Sequence, residues 1–217
     1  MNKVLILVEG QTEEQFVNRV LNIHLERFDK YSRPVLVKTK EVKRGTKHKG
    51  GITSYSKVKK QVKNLLQDSS AAVITTMIDY YKLPEDFPGK NNVPPGDCFS
   101  KVSFLEQEFK KDINNPKFIP HFQLHEFESL LFCSADGFKK AFPRHGKESQ
   151  INQIINEFVT PEEIDEGDET SPAKRIIELF PQYRKTLHGI LITLELGLDE
   201  IRSKCRHFNA WMSKLEA

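Results

Sequence analysis

Acidic residues follow apolar runs at three places where a strand would end, and each is a candidate for metal or acid–base chemistry. Glu9, with Glu13 four residues on, follows Val4-Leu5-Ile6-Leu7-Val8. Asp79 follows a β-branched run over 71–78, and Glu126 and Glu128 follow a run over 118–124, with His125 beside them. If the strands are parallel neighbours, these acids meet at one sheet edge, where open α/β sheets place their ligands. Carboxylates gathered there repel one another unless a cation is shared. Hard oxygen donors suit Mg²⁺ or Mn²⁺, which can hold phosphate oxygens and activate water. On this reading Glu9, Asp79 and one of Glu126 or Glu128 hold the ion. Glu13 then holds a second ion or deprotonates water. His125 is a metal ligand, a general acid or base, or a group that positions phosphate. The plainer reading has Glu13 complementing a helix dipole, Glu9 as a solvated strand end and His125 terminating a strand.

The elements that would position these groups follow from periodicity. No residue of the run 4–8 is polar, which describes a strand buried on both faces. Gly10 permits a tight turn, and Thr12 with Gln15 has capping-box spacing, so a helix is expected from Thr12 to about Phe28. Its inward face is Phe16, Val17, Val20, Leu21, Leu25 and Phe28. A second strand opens at Pro34 and can continue to Val42. A helix capped by Ser54 or Ser56 carries Val58, Val62, Leu65 and Leu66, and the run 71–78 is the next strand. Strand, helix, strand, helix, strand is the pattern of a parallel sheet with right-handed crossovers. Residues 83–96 form a proline-rich loop, a helix covers about 99–113, and 118–124 reads as a strand with Pro120 marking an edge. Helices are expected near 149–158, 172–179, 183–196 and 198–215, giving an α/β domain over 1–140 and a helical extension over 141–217.

The length of 217 residues suffices for a core without disulfides, and no apolar run reaches the roughly eighteen residues of a membrane span. Met-Asn-Lys leads straight into a strand-like run, without signal-peptide architecture. Three widely spaced cysteines, Cys98, Cys133 and Cys205, offer neither a disulfide framework nor a cysteine–histidine zinc spacing. A cytoplasmic location is expected. Net charge is only +3, yet Lys38 to Lys63 holds ten basic residues against the single acid Glu41. Lys43, Arg44, Lys47 and Lys49 in its glycine-punctuated loop are candidate phosphate contacts; a solvated helix face and loop is the other reading. Gly-x-Ser-x-Gly, Walker and dinucleotide patterns are absent.

Val8-Glu9-Gly10-Gln11-Thr12-Glu13, with an acid after a later parallel strand, resembles the Toprim domain of topoisomerases, primases and overcoming-lysogenization-defect nucleases. The paired Glu9-x-x-x-Glu13 is similar to the nuclease branch. The whole chain is similar to the bacterial domain of unknown function 4276 family. The shared residues are Val-Glu-Gly-x-Thr-Glu at 8–13, Asp79-Tyr80-Tyr81, Gln123-Leu124-His125-Glu126-Phe127-Glu128, Ser171-Pro172-Ala173-Lys174-Arg175 and Cys205-Arg206-His207-Phe208-x-x-Trp211. The resemblance implies a Toprim-like fold, divalent metal, phosphodiester chemistry on DNA or RNA and a partner ATPase in phage defence. Tyr81 stands where the Toprim pattern has its second aspartate, so only Asp79 carries over from that motif.

The expectation is thus a metal-dependent nuclease with Glu9, Glu13, Asp79 and His125 at its centre. Lys174 and Arg175 are further phosphate contacts, or surface charges paired with the acidic 157–169 stretch; Arg206 and His207 pose the same choice. Two alternatives remain: a non-catalytic nucleic-acid-sensing or ATPase-regulating module with a degraded metal site, and a phosphohydrolase acting on a nucleotide.

Overall fold

The computed structural model describes residues 1–38, 52–81, 83–164, 167 and 170–217. The basic loop 43–49 and the possible strand extension to Val42 lie outside them. The central strand β1 (Asn2–Val8) pairs in parallel with β2 (Lys30–Leu36) and β3 (Ala71–Asp79). On its far side β3 pairs in parallel first with β4 (Phe118–Ile119) and then with β5 (Phe122–Gln123). The result is an α/β fold with a parallel sheet between helices.

The uninterrupted strand expected over 118–124 is instead split, for a chemical reason. Pro120 has no N–H to give. The backbone of His121 then turns to a side chain, its N–H donating to Thr76 Oγ1 at 2.9 Å while Thr76 Oγ1 donates to the His121 carbonyl at 2.8 Å. One threonine hydroxyl thus replaces two ladder bonds.

Both faces of β1 are covered, which accounts for its unbroken apolar run. Leu5 and Leu7 share a core with Val58 and Val62 of α3 (Tyr55–Leu65) and with Val102, Leu105 and Phe109 of α4 (Cys98–Ile113). Val4, Ile6 and Val8 share the opposite core with Phe16 and Leu21 and with the later helices. These are α5 (Ala135–Ala141), α6 (Glu148–Asn156), α7 (Pro172–Leu179), α8 (Ile190–Lys204) and α9 (Arg206–Glu216). The C-terminal helices and the first helix therefore cover one face of the sheet together. Each fully buried Phe or Leu there contributes about 1.5–3 kcal/mol.

Several boundaries differ from the sequence expectation. The first helix is capped at Gly10 rather than Thr12, because the Glu13 carboxylate reaches back to the Gly10 N–H at 2.9 Å. Glycine has no side chain to return the bond, so this is half of a capping box. The helix runs as α1 (Gln11–Phe16), a π-helical stretch Val17–Leu21 and α2 (Asn22–Leu25), before a 3₁₀ turn Glu26–Phe28. Phe28 is exposed, not inward, since the 3₁₀ turn leaves the helical face. Ser54 occupies the cap of α3, but Asp86 accepts the Tyr55 N–H, with both carboxylate oxygens at 2.9 Å. The expected break at Gly197 is a kink with φ +75°, and a second break falls at Cys205. Cys133 and Cys205, distant in sequence, bring their buried thiols to 3.6 Å. Among the described residues no helix is long and apolar enough to cross a membrane.

Candidate metal centre

Parallel pairing of β1 with β3 sets Val8 beside Met77, so the strands end together and deliver Glu9 and Asp79 to one edge. Backbone groups of Asp79 and Ile52 near the Glu9 carboxyl partly oppose the rise of its pKa. Glu13, one turn into the helix and 7% exposed, points back at the same edge through its bond to Gly10. A Cβ on Gly10 would stand 3.1 Å from Glu13 Oε2, so a larger residue there would press on the carboxylate by a few tenths of an ångström.

These acids sense one another. Burial and the Glu13 carboxylate push Glu9 up to about 7. Burial raises Glu13 too, with Glu128 adding to it. Asp79 is held well above the usual carboxylate range by burial, then by Glu13 and Glu9. Desolvated like charges without enough counter-charge behave this way, and such perturbed groups cluster at functional sites. The donors are hard oxygens on separate elements, the set a magnesium-class dication takes. As the side chains stand, they are not drawn into a closed cage. Among the described residues, the one group of three donors with ligand atoms within 4.8 Å of one another is Glu106, His121 and His207, elsewhere in the molecule.

The later acids hold structure as well as charge. Glu126 Oε2 accepts the Ala173 N–H at 3.0 Å in the first turn of α7. Glu128 is fully buried, receives the Tyr183 hydroxyl at 3.2 Å, and pairs with Lys185 Nζ at 2.9 Å. Burial raises Glu128 and the lysine opposes it. Burial works against the charge of Lys185, but the Glu128 and Asp79 carboxylates prevail and raise its pKa. Asp79 Oδ1 accepts the Phe127 N–H at 3.0 Å, which clamps the 3₁₀ segment Phe127–Cys133 onto the end of β3. His125 is buried and adopts φ +58°, a left-handed turn costly for a non-glycine residue. Its carbonyl accepts the Tyr81 N–H at 2.9 Å, so the strained turn joins the two strand ends.

The structure thus brings Glu9, Glu13, Asp79 and Glu128 into one electrostatic neighbourhood, with Glu126 and His125 on the adjoining turn. Arg175 is engaged elsewhere, on the Thr170 carbonyl at 2.7 Å and on Glu157 at 3.2 Å, within the acidic stretch. Arg206 lies 3.6 Å over the Phe99 ring, and Lys174 is exposed at the start of α7. Sequence reasoning missed Lys185 and Tyr183. They follow Pro181 in a stretch read as ordinary helix, where a basic residue carries no signal. Lys185 opens a π-helical turn, Lys185–Gly189, and a Cβ on Gly189 would stand 3.1 Å from the Tyr183 hydroxyl.

No curated protein matches the chain. The chain is similar to solved structures of the C-terminal region of the Xanthomonas campestris pv. campestris OLD protein. The structure phased with platinum is 17% identical with a TM-score of 0.41, over 98% of this chain and 95% of that one. The structure phased with iodine gives 18%, 0.42, 99% and 97%, and that phased with mercury 16%, 0.40, 100% and 99%. The family model for the domain of unknown function DUF4276 matches residues 8–216, and the chain belongs to that family.

Proposed function

We propose that this protein is a metal-dependent nuclease that hydrolyses phosphodiester bonds of DNA or RNA at the carboxyl edge of its sheet. The observation that carries this reading is the convergence of Glu9, Glu13 and Asp79, each raised by burial and by a neighbouring acid. Glu9 and Asp79, with Glu128 or Glu126, are the residues to hold Mg²⁺ or Mn²⁺. Such an ion supplies positive charge for phosphate oxygens and lowers the pKa of a bound water. Glu13, with a raised pKa, is suited to take a proton from that water near neutral pH. Lys185 places an ammonium beside the acids, where it can meet charge developing on phosphate. His125 lines the adjoining turn, in reach of the role of positioning phosphate. The basic loop with Lys43, Arg44, Lys47 and Lys49, and Lys174 with Arg175, are the proposed backbone contacts. Partnership with an ATPase in phage defence rests on the motif resemblance alone.

One observation favours the rival reading of a non-catalytic partner module. Lys185 already pairs with Glu128, and Tyr81 replaces a potential acid, so the edge carries fewer free donors than a two-metal site needs. Calorimetric titration with Mn²⁺ and cleavage of linear DNA and of RNA separate the two. The nuclease reading expects binding and cleavage lost in Glu9→Gln and Asp79→Asn with the fold intact. Cleavage unchanged in Glu9→Gln removes the assignment, and absence of any Glu9-dependent binding favours the rival.

A further inference from the structure

Away from the acidic edge, three donors from distant parts of the chain meet where β4 gives way to β5. Glu106 comes from α4, His121 from the gap in the split strand, and His207 from the first turn of α9. Glu106 Oε1 lies 3.1 Å from His207 Nε2 and 3.6 Å from His121 Nδ1. Ligand atoms on a tetrahedral ion with bonds of about 2.0–2.1 Å stand about 3.3 Å apart, so these separations are already near coordination spacing. The side chains are 12%, 1% and 10% exposed for Glu106, His121 and His207.

His121 supplies the independent sign of a ligand. Neither of its ring nitrogens finds a hydrogen bond, and His207 Nδ1 is equally unmatched. Buried polar atoms are normally satisfied, and each exception calls for a reason. The imidazole is also held in place from several sides. It stacks on Trp211 at 4.3 Å and on His207 at 4.8 Å, and Thr76 fixes its backbone. Burial, then the neighbouring His207, depress its pKa, which keeps a lone pair available for a metal.

We propose that Glu106, His121 and His207 form a binding site for a first-row transition dication of the zinc class, distinct from the carboxylate edge. Two imidazoles and a carboxylate are a borderline donor set, which takes zinc rather than magnesium. Three protein ligands leave one position for a ligand from solvent. Glu106 also lines an open cleft of about 560 Å³ with Lys110, Lys111 and Lys214. The bound ion would fasten α4, the split strand and α9 together, so its effect is on stability of the C-terminal face. No local spacing announces the site, since its ligands are scattered from 106 to 207.

The test uses the full chain freed of metal by chelator and titrated with Co²⁺, whose visible spectrum reports tetrahedral coordination, and then with Zn²⁺ in competition. One equivalent is expected, bound tighter than about 1 µM, with the spectrum of nitrogen and oxygen ligands and a rise in melting temperature. Glu9→Gln/Asp79→Asn should bind as the unaltered chain does. His207→Ala and Glu106→Gln should each weaken binding more than about 100-fold. Glu106→Gln keeps an oxygen for the Phe122 N–H, which Glu106 accepts at 2.9 Å, so its fold holds. Uptake unchanged in both variants, uptake lost in Glu9→Gln/Asp79→Asn, or no uptake by the unaltered chain overturns the proposal.

Discussion

Lys185 Nζ sits 2.9 Å from Glu128 Oε2, joining a π-helical turn to a carboxylate 57 residues earlier in the chain. The pair sets an ammonium that is 46% exposed against an acid with no exposure at all. Lys185→Met leaves that acid with the Tyr183 hydroxyl alone. Breaking a buried pair costs about 3–5 kcal/mol, and the water around Lys185 reduces this to about 2 kcal/mol at pH 7. Burial holds the Glu128 pKa up, so the loss should shrink as pH is lowered and Glu128 takes up a proton, which a second set of measurements at pH 5 tests. Urea midpoints at the two pH values measure it; an equal loss at both contradicts the pairing.

Glu9 gives the clearest pH signature. Its carboxyl titrates at about 7 in the fold against 4.5 when free, so the folded protein holds a proton that the unfolded chain releases. Stability of the metal-free protein therefore falls as pH rises from 4.5 to about 7. Glu9→Gln cannot titrate and should gain on the unaltered chain across that window, by up to about 3 kcal/mol, with no gain at pH 4. Mn²⁺ should restore the unaltered chain alone. Melting curves at pH 4, 6 and 8 with and without Mn²⁺ decide this.

Glu162 is a buried acid with a different task. Its two oxygens accept the His207 and Phe208 N–H groups, each at 2.9 Å, at the start of α9. Glu162→Ala should cost about 2 kcal/mol, and Glu162→Gln about half of that, since one oxygen remains. Chemical denaturation gives both values. Cleavage per folded molecule should not change.

Trp211→Phe removes the indole N–H that Thr75 Oγ1 accepts at 2.9 Å and narrows one wall of the His121 stack. The expected loss is about 1–2 kcal/mol. It is read as a lower melting temperature, with weaker Co²⁺ uptake if His121 loses its orientation.

The parallel sheet was legible because β1 is apolar on both faces and β3 is rich in β-branched residues, and their ends named Glu9 and Asp79 directly. The split at Pro120 was half legible: the missing N–H can be read from proline, but the substitute donor, Thr76, is a tertiary matter. Lys185 and His121 carried no local mark. Their roles come from approaches between segments far apart in sequence, which hydrophobic periodicity does not encode. The cap at Gly10 was displaced from Thr12 because the Glu13 side chain, rather than a hydroxyl, satisfied the free amide.

The divided strand has a consequence for how this molecule meets its neighbours in a crowded solution. Among the described residues, β4 and β5 form one rim of the sheet, and each offers just two residues of ladder. A foreign extended chain finds no continuous row of amides and carbonyls there to add to, and Pro120 interrupts the row at its middle. Restoring a donor with Pro120→Val should lengthen the ladder to β3 within the covered rim. The proline that divides the strand thus leaves a rim with little ladder to extend, and α9 packs on it through Trp211 and His207.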